Sequence, residues 1–266
     1  MLTWWRRRRR QRRLERLDTS PLAWAEAWSD LPVLEGLDED AGARLRRIAA
    51  LLLDEKTWSP AAGSAMPPGA ARTIALLAAL PVLELGVEWL DDFATIIVYP
   101  DSFIAEFDDH DEATGVVHRI REARSGESWH RGPLVLSWAD VQASRELDGF
   151  NVVLHEVAHK LDGADGDING KPPLHRDMGV RAWSEAFLAA YELLLDDVEA
   201  DRPTAIDPYA AQAPEEFFAV ATEAFFETPH DLLDAYPEVY SQLAAFYRQD
   251  PVRRLRAPYP TGQPAP

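Results

Sequence analysis

A chain of 266 residues, 47% apolar and 27% charged, has the composition of a globular protein and enough length to bury a sizeable core as one large domain or two small ones. It contains no Cys, which excludes disulfides, thiol nucleophiles and thiolate metal sites, so a metal would have to be held by His and carboxylates. The longest apolar stretch, Ile74 to Leu83, contains Pro81 and stops at Glu84, short of the ~20 residues that span a bilayer, so the expectation is a soluble, cytoplasmic protein with no membrane span.

The net charge of −18 is unevenly spread. Residues 1–18 hold eight Arg against Glu15 and Asp18, a net +6 that leaves −24 on the remainder. So acidic a body argues against a general nucleic-acid partner. The arm MLTWWRRRRRQRRLERLD could touch nucleic acid or anionic lipid through Arg6 to Arg10, Arg12 and Arg13. The plainer expectation is a disordered, solvated tail over residues 1–18 that folds back on its own acidic body. It lacks the apolar core of a signal peptide.

Further along, Asp38 reads as the N-cap of a helix through Leu53, and Arg72 to Leu80 as a second helix stopped by Pro81. Ser59 to Gly69 reads as the loop between them. Thr95 to Tyr99, Val116 to Ala123 and Leu134 to Trp138 are short runs with β-branched or aromatic content, expected to be strands of one small sheet. Helical patterns return over Asn151 to Leu161, Arg181 to Leu194, Pro214 to Glu227 and Glu238 to Tyr247. The order predicts a mostly helical α+β domain over residues 19–255 with a small central β-sheet, followed by a disordered tail over 256–266.

The helix NVVLHEVAHKLDG carries His155-Glu156-x-x-His159. Four-residue spacing puts both imidazoles on one face, with Cβ atoms ~5–6 Å apart, so both rings can converge on one ion. Glu156 sits where it can hold a water that the metal makes acidic, and take its proton. With 7 His and 45 acids in the chain, chance would supply such a motif about 0.03 times. Val152, Val153, Leu154, Val157, Ala158 and Leu161 make the helix apolar nearly all round, so its histidines and carboxylate need compensation. A hydrogen-bonded core His pair is the competing reading.

Two His leave a tetrahedral zinc one protein ligand short. Asp165 lies near, six residues after His159, but Asp162 occupies the place where such short-spaced sites need Gly to turn the chain. The helix PEEFFAVATEAFFE has almost no polar side, yet Glu216 and Glu223 lie seven apart on one face, where buried carboxylates want a cation or a donor. Glu216 as ligand, with Glu223 orienting a ligand imidazole, is the economical assignment.

LPVLELGVEWLD, SWHRGPLVLSW, HEVAHKLD and Tyr209 followed by EFFAVATEAFF, in this chain order, resemble the Mlc titration factor A family of zinc metallopeptidases, over roughly Leu17 to Leu255. The resemblance implies a gluzincin-type metallopeptidase domain, with an active site similar to the catalytic domain of anthrax lethal factor. It implies one zinc per chain held by His155, His159 and Glu216, Glu156 as general base and Tyr209 as catalytic tyrosine. It implies aminopeptidase-like cleavage of a peptide or protein substrate, and some members bind a sugar-responsive transcriptional repressor. The Arg-rich arm departs from the family pattern.

Asp165-Gly-Asp167-Ile-Asn169-Gly170 fits the first half of a calcium loop, but Arg176 stands where a bidentate Glu is required, so an active-site loop is the better reading. His110, His118, His130, His175 and His230 have no spaced partner. Phosphate loops and nucleophile elbows are missing. The expected function is a zinc-dependent, aminopeptidase-like peptidase; the alternative is a regulatory protein that sequesters a transcriptional repressor, with peptidase activity secondary.

Overall fold

The computed structural model describes residues 2–61, 63–101, 103–110, 117–124, 126–128 and 132–256. Helices dominate, as the sequence pattern predicts, and enclose a small sheet. α1 (Leu2–Leu14) and α2 (Pro21–Ser29) precede α3 (Glu39–Glu55), which Asp38 caps by accepting from the Ala41 amide at 2.7 Å. Leu45, Ile48, Ala49 and Leu52 bury one face of α3 against α4 (Ala70–Ala79), which is buried almost throughout.

The sheet has the order β1 (Thr57–Pro60), β2 (Thr95–Tyr99), β6 (Leu134–Ser137), β5 (Gly126–Ser128). β1, β2 and β6 run parallel, and β5 closes the sheet antiparallel to β6. Ile96 and Val98 point into the core while Thr95, Ile97 and Tyr99 stay half-buried, the period-2 alternation of a strand with one covered face. β6, which lies between β2 and β5 and contacts α5 and α6, is buried along its whole length.

Three expectations are corrected here. Within the run Val116 to Ala123, Val116 lies outside the described residues and the rest does not join this sheet: β4 (Val117–Arg124) pairs with β3 (Phe103–His110) as a separate antiparallel two-stranded sheet. β3 was hidden in the sequence by its acids, Glu106, Asp108 and Asp109. Ser59 and Pro60, read as loop, complete β1, where an edge position tolerates Pro. The arm is not disordered: residues 2–14 are helical, and Arg6, Arg7, Arg10 and Arg13 pair with Asp91, Glu88, Glu55 and Asp54. Of the tail, residues 257–266 lie outside the described residues.

The C-terminal half is punctuated by proline. α8 (Pro214–Glu227), α9 (Pro229–Ala235), α10 (Pro237–Tyr247) and α11 (Pro251–Arg254) each begin with Pro, whose fixed φ and missing N–H suit the first turn. α7 (Val180–Glu199) and α10 clamp α8, and Trp183, Phe217, Phe218, Phe225, Phe226, Phe246 and Tyr247 fill the space between them. α5 (Trp138–Ala143) leads into α6 (Val152–Asp162), which packs on α8, α4 and β5. Among the described residues no helix is long and apolar enough to cross a membrane.

Gly170, in the loop after α6, ties that loop to the start of α8. Its φ is +77°, and a Cβ there would lie 2.5 Å from the Pro214 carbonyl oxygen. Gly166, at φ +113°, faces open space. Gly166→Ala should therefore cost only the left-handed backbone penalty, about 1–2 kcal/mol. Gly170→Ala adds a backbone clash and should cost about 3 kcal/mol or more. Equal denaturant midpoints for the two variants would contradict this packing.

Candidate metal centre

α6 begins at Asn151, which is fully buried. Its Oδ1 accepts from the Leu154 amide at 3.1 Å, and its Nδ2 donates to Glu227 Oε1 at 2.7 Å. Its backbone amide donates to Glu223 Oε2. Ser144 Oγ accepts from the Val152 amide at 3.1 Å. The start of the helix is thereby pinned to two carboxylates of α8, one turn apart.

From this anchored helix His155 and His159 project toward Glu216 at the start of α8. His155 Nε2 lies 3.1 Å from Glu216 Oε2 and 3.1 Å from His159 Nε2. His159 Nε2 is 3.4 Å from the same carboxylate oxygen. Among the described residues these three form the group of acids and histidines able to share a metal ion. Ligand bonds of about 2.0–2.1 Å in tetrahedral geometry place ligand atoms about 3.3–3.4 Å apart, so the triangle has the size of one face of a zinc tetrahedron. Two imidazoles and a carboxylate are also donors that zinc accepts.

Glu223 sets the other side of His155: its Oε1 is 2.8 Å from Nδ1. With the proton on Nδ1 and donated to Glu223, the lone pair of Nε2 is directed at the triangle. Burial works against an imidazolium at His155, but Glu223 and Glu216 outweigh it and raise its pKa well above the ordinary value. Burial also opposes ionisation of Glu216, yet hydrogen bonds from His155 and His159 hold its carboxyl far below the usual range. Surroundings this negative favour a cation. Glu227 is different: burial outweighs its bond from Asn151 and raises its pKa well above the ordinary value.

Glu156 is 4% exposed, and its Oε2 is buried with no hydrogen-bond partner among the described residues. Burial raises its pKa, with His155 and His159 opposing. A buried, unsatisfied carboxylate oxygen next to a ligand triangle is where a polarised water would be held. Tyr209 lies in the short turn Pro208–Ala211 that packs on α8, with its ring centroid 6.0 Å from that of His155 and 43% of the residue exposed. It stands on the open side of the site.

The structure brings His155, Glu156, His159, Glu216, Glu223 and Tyr209 together. Asp165 stays outside: it is exposed, and its Oδ1 accepts from the Asp167 amide. Asp162, which breaks the short-spaced pattern, is buried and accepts from the amides of Asn169 and Gly170 at 2.9 and 2.7 Å, holding the loop in place. His175 and His230 bond the carbonyls of Phe246 and Leu255, and His130 lies outside the described residues. Sequence reading missed Asn151 and Glu227. An Asn before a buried helix signals a cap, but nothing local reveals partners more than seventy positions away.

Residues 3–248 match the family described as glucose-regulated metallo-peptidase M90. The chain belongs to that family. It is 39% identical over 239 residues to Mlc titration factor A of Cronobacter sakazakii, covering 89% of each chain. It is 40% identical over 237 residues to the protein of that name in Escherichia fergusonii, covering 88% of this chain and 89% of the other. It is 42% identical over 237 residues to the one in Yersinia enterocolitica, covering 88% and 87%. The M90 match begins at residue 3, so most of the basic arm falls within the family's span.

Substitutions around the triangle should separate its parts in chelator competition. Glu216→Ala is expected to weaken zinc severely, and Glu223→Gln by about 10–100-fold, because His155 loses the carboxylate that orients it. Asp165→Ala should leave affinity unchanged. The opposite ranking, with Asp165 dominant, would refute the assignment.

Proposed function

We propose that this protein is a zinc-dependent peptidase with aminopeptidase-like activity, working in the cytoplasm. The observation that carries the reading is the triangle of His155, His159 and Glu216 with the unpartnered Glu156 oxygen in the same buried site. Membership of a metallo-peptidase family supports it, and the absence of Cys agrees with the compartment.

Bound zinc would supply Lewis acidity, polarising the scissile carbonyl and lowering the pKa of a water to near neutrality. Glu156 holds that water through Oε2, takes its proton and passes it to the leaving amine. Its raised pKa brings it closer to the working pH, as a general base requires. Tyr209 donates its hydroxyl to the carbonyl oxygen as negative charge develops there, which helps the transition state more than the substrate. The backbone edge for an extended substrate is β5. β6 is already paired on both sides.

A regulatory reading, in which the protein binds a transcriptional repressor and cleavage is secondary, is favoured by the name titration factor that the relatives carry. Amino-acid anilides distinguish the two. The zinc-loaded protein should cleave them, Glu156→Gln should keep its zinc and lose nearly all turnover, and Tyr209→Phe should lower kcat by about 10²–10³ with little change in KM. Full zinc occupancy without turnover of anilides or peptides would leave the regulatory reading standing. Unchanged kcat in Tyr209→Phe would reduce Tyr209 to a packing residue.

A further inference from the structure

The proposed chemistry makes no use of α1, and the two faces of this helix differ in kind. Arg6, Arg10 and Arg13, spaced four and three apart, turn toward the body with Arg7 beside them. Arg10 is the anchor: its side chain is 12% exposed and pairs with Glu55 at 2.7 Å and with Asp91. Arg7 reaches Glu88 at 2.9 Å and Arg13 reaches Asp54 at 2.6 Å. These bonds hold the helix in place.

The same spacing repeats on the outward face. Trp5, Arg9 and Arg12 form one stripe, continued by Arg16 in the following turn, with Trp4 and Arg8 alongside. Trp4 is 54% exposed and Trp5 63%. Arg8, Arg9, Arg12 and Arg16 are exposed and have no carboxylate partner among the described residues. Two adjacent exposed indoles at one end of a row of uncompensated guanidinium groups is unusual on a surface that only meets water.

We propose that this face of α1 docks the protein on an anionic lipid surface. Trp4 and Trp5 lie among the headgroups, where an apolar ring with one polar N–H is best accommodated, and Arg8, Arg9, Arg12 and Arg16 lie over lipid phosphates. Charge complementarity favours this face, because residues 19–266 are net negative and as a whole are repelled by the same surface. Contact is therefore shallow and carried by the arm. Single-stranded nucleic acid would need open aromatic faces for stacking. Trp4 offers less of one: the Arg8 guanidinium sits over its ring at 5.2 Å and Trp5 meets it edge to face at 4.9 Å.

The test is co-sedimentation of the full-length protein with vesicles of phosphatidylcholine alone, or mixed with phosphatidylglycerol, at low ionic strength. The protein should pellet with the mixed vesicles, remain in solution with the neutral ones, and be released by added salt. Arg8→Gln, Arg9→Gln and Arg12→Gln should each reduce partitioning about fivefold. Trp4→Ala with Trp5→Ala should weaken binding in mixed vesicles at every salt concentration. These side chains face solvent, so the variants keep the parent fold. No pelleting with mixed vesicles, equal pelleting of parent and variants, or tighter binding to single-stranded DNA than to mixed vesicles would overturn the proposal.

Discussion

The contact on which the site depends is between the buried carboxylate of Glu223 and the start of α6. One oxygen accepts from His155 Nδ1 and the other from the Asn151 amide, so a single α8 side chain fixes both the helix terminus and the ring that the helix presents. Glu227, one turn further on, takes the Asn151 side chain. An ionised carboxylate in such a place loses several kcal/mol of hydration, which only close donors or a cation restore. At Glu223 the His155 ring and the Asn151 amide offset part of that loss, with burial still raising its pKa, and at Glu227 burial outweighs the bond from Asn151. At Glu216 the compensation comes from two imidazoles that can equally direct lone pairs at an ion.

That arrangement turns fold stability into chemical preorganisation. The aromatic packing of α8 against α7 and α10 and the burial of α6 hold Glu216 and the histidines without help from flexible segments. The loop after α6 is held by Asp162 and by the close approach of Gly170 to Pro214, so the residue that opens α8 packs directly on the loop leaving α6. Glu156 sits on the same rigid helix as the histidines it serves. Tyr209 rides a short turn at the rim, where a side chain can meet substrate and still be positioned by α8.

What the sequence revealed follows from how local each signal is. A four-residue spacing on one helix places His155, Glu156 and His159 with no knowledge of the rest of the chain. Glu216 and Glu223 could be singled out because they are carboxylates on an otherwise apolar helix, a conflict that demands a partner. The sequence favours Glu216 over Asp165 because Asp162 stands where a short-spaced site needs Gly, and the contact of α6 with α8 brings the Glu216 carboxylate to 3.1 Å from His155. Strand pairing was legible only in part: β2 and β6 show apolar runs, while β3 hides behind its acids, and no local feature tells whether a strand is central or at an edge. The helical order of the arm escaped reading for a related reason. Arg side by side in sequence repel, and only the acids at 54, 55, 88 and 91, brought together by the fold, offset that repulsion.

X-ray absorption at the zinc edge on the purified protein tests most directly whether the α6 and α8 donors share one ion. A single zinc with two imidazole nitrogens and at least one oxygen at about 2.0–2.1 Å, and no sulfur, is the expected coordination. A metal coordinated by oxygen alone, or an unchanged spectrum after His155 and His159 are both replaced by Ala, would contradict it.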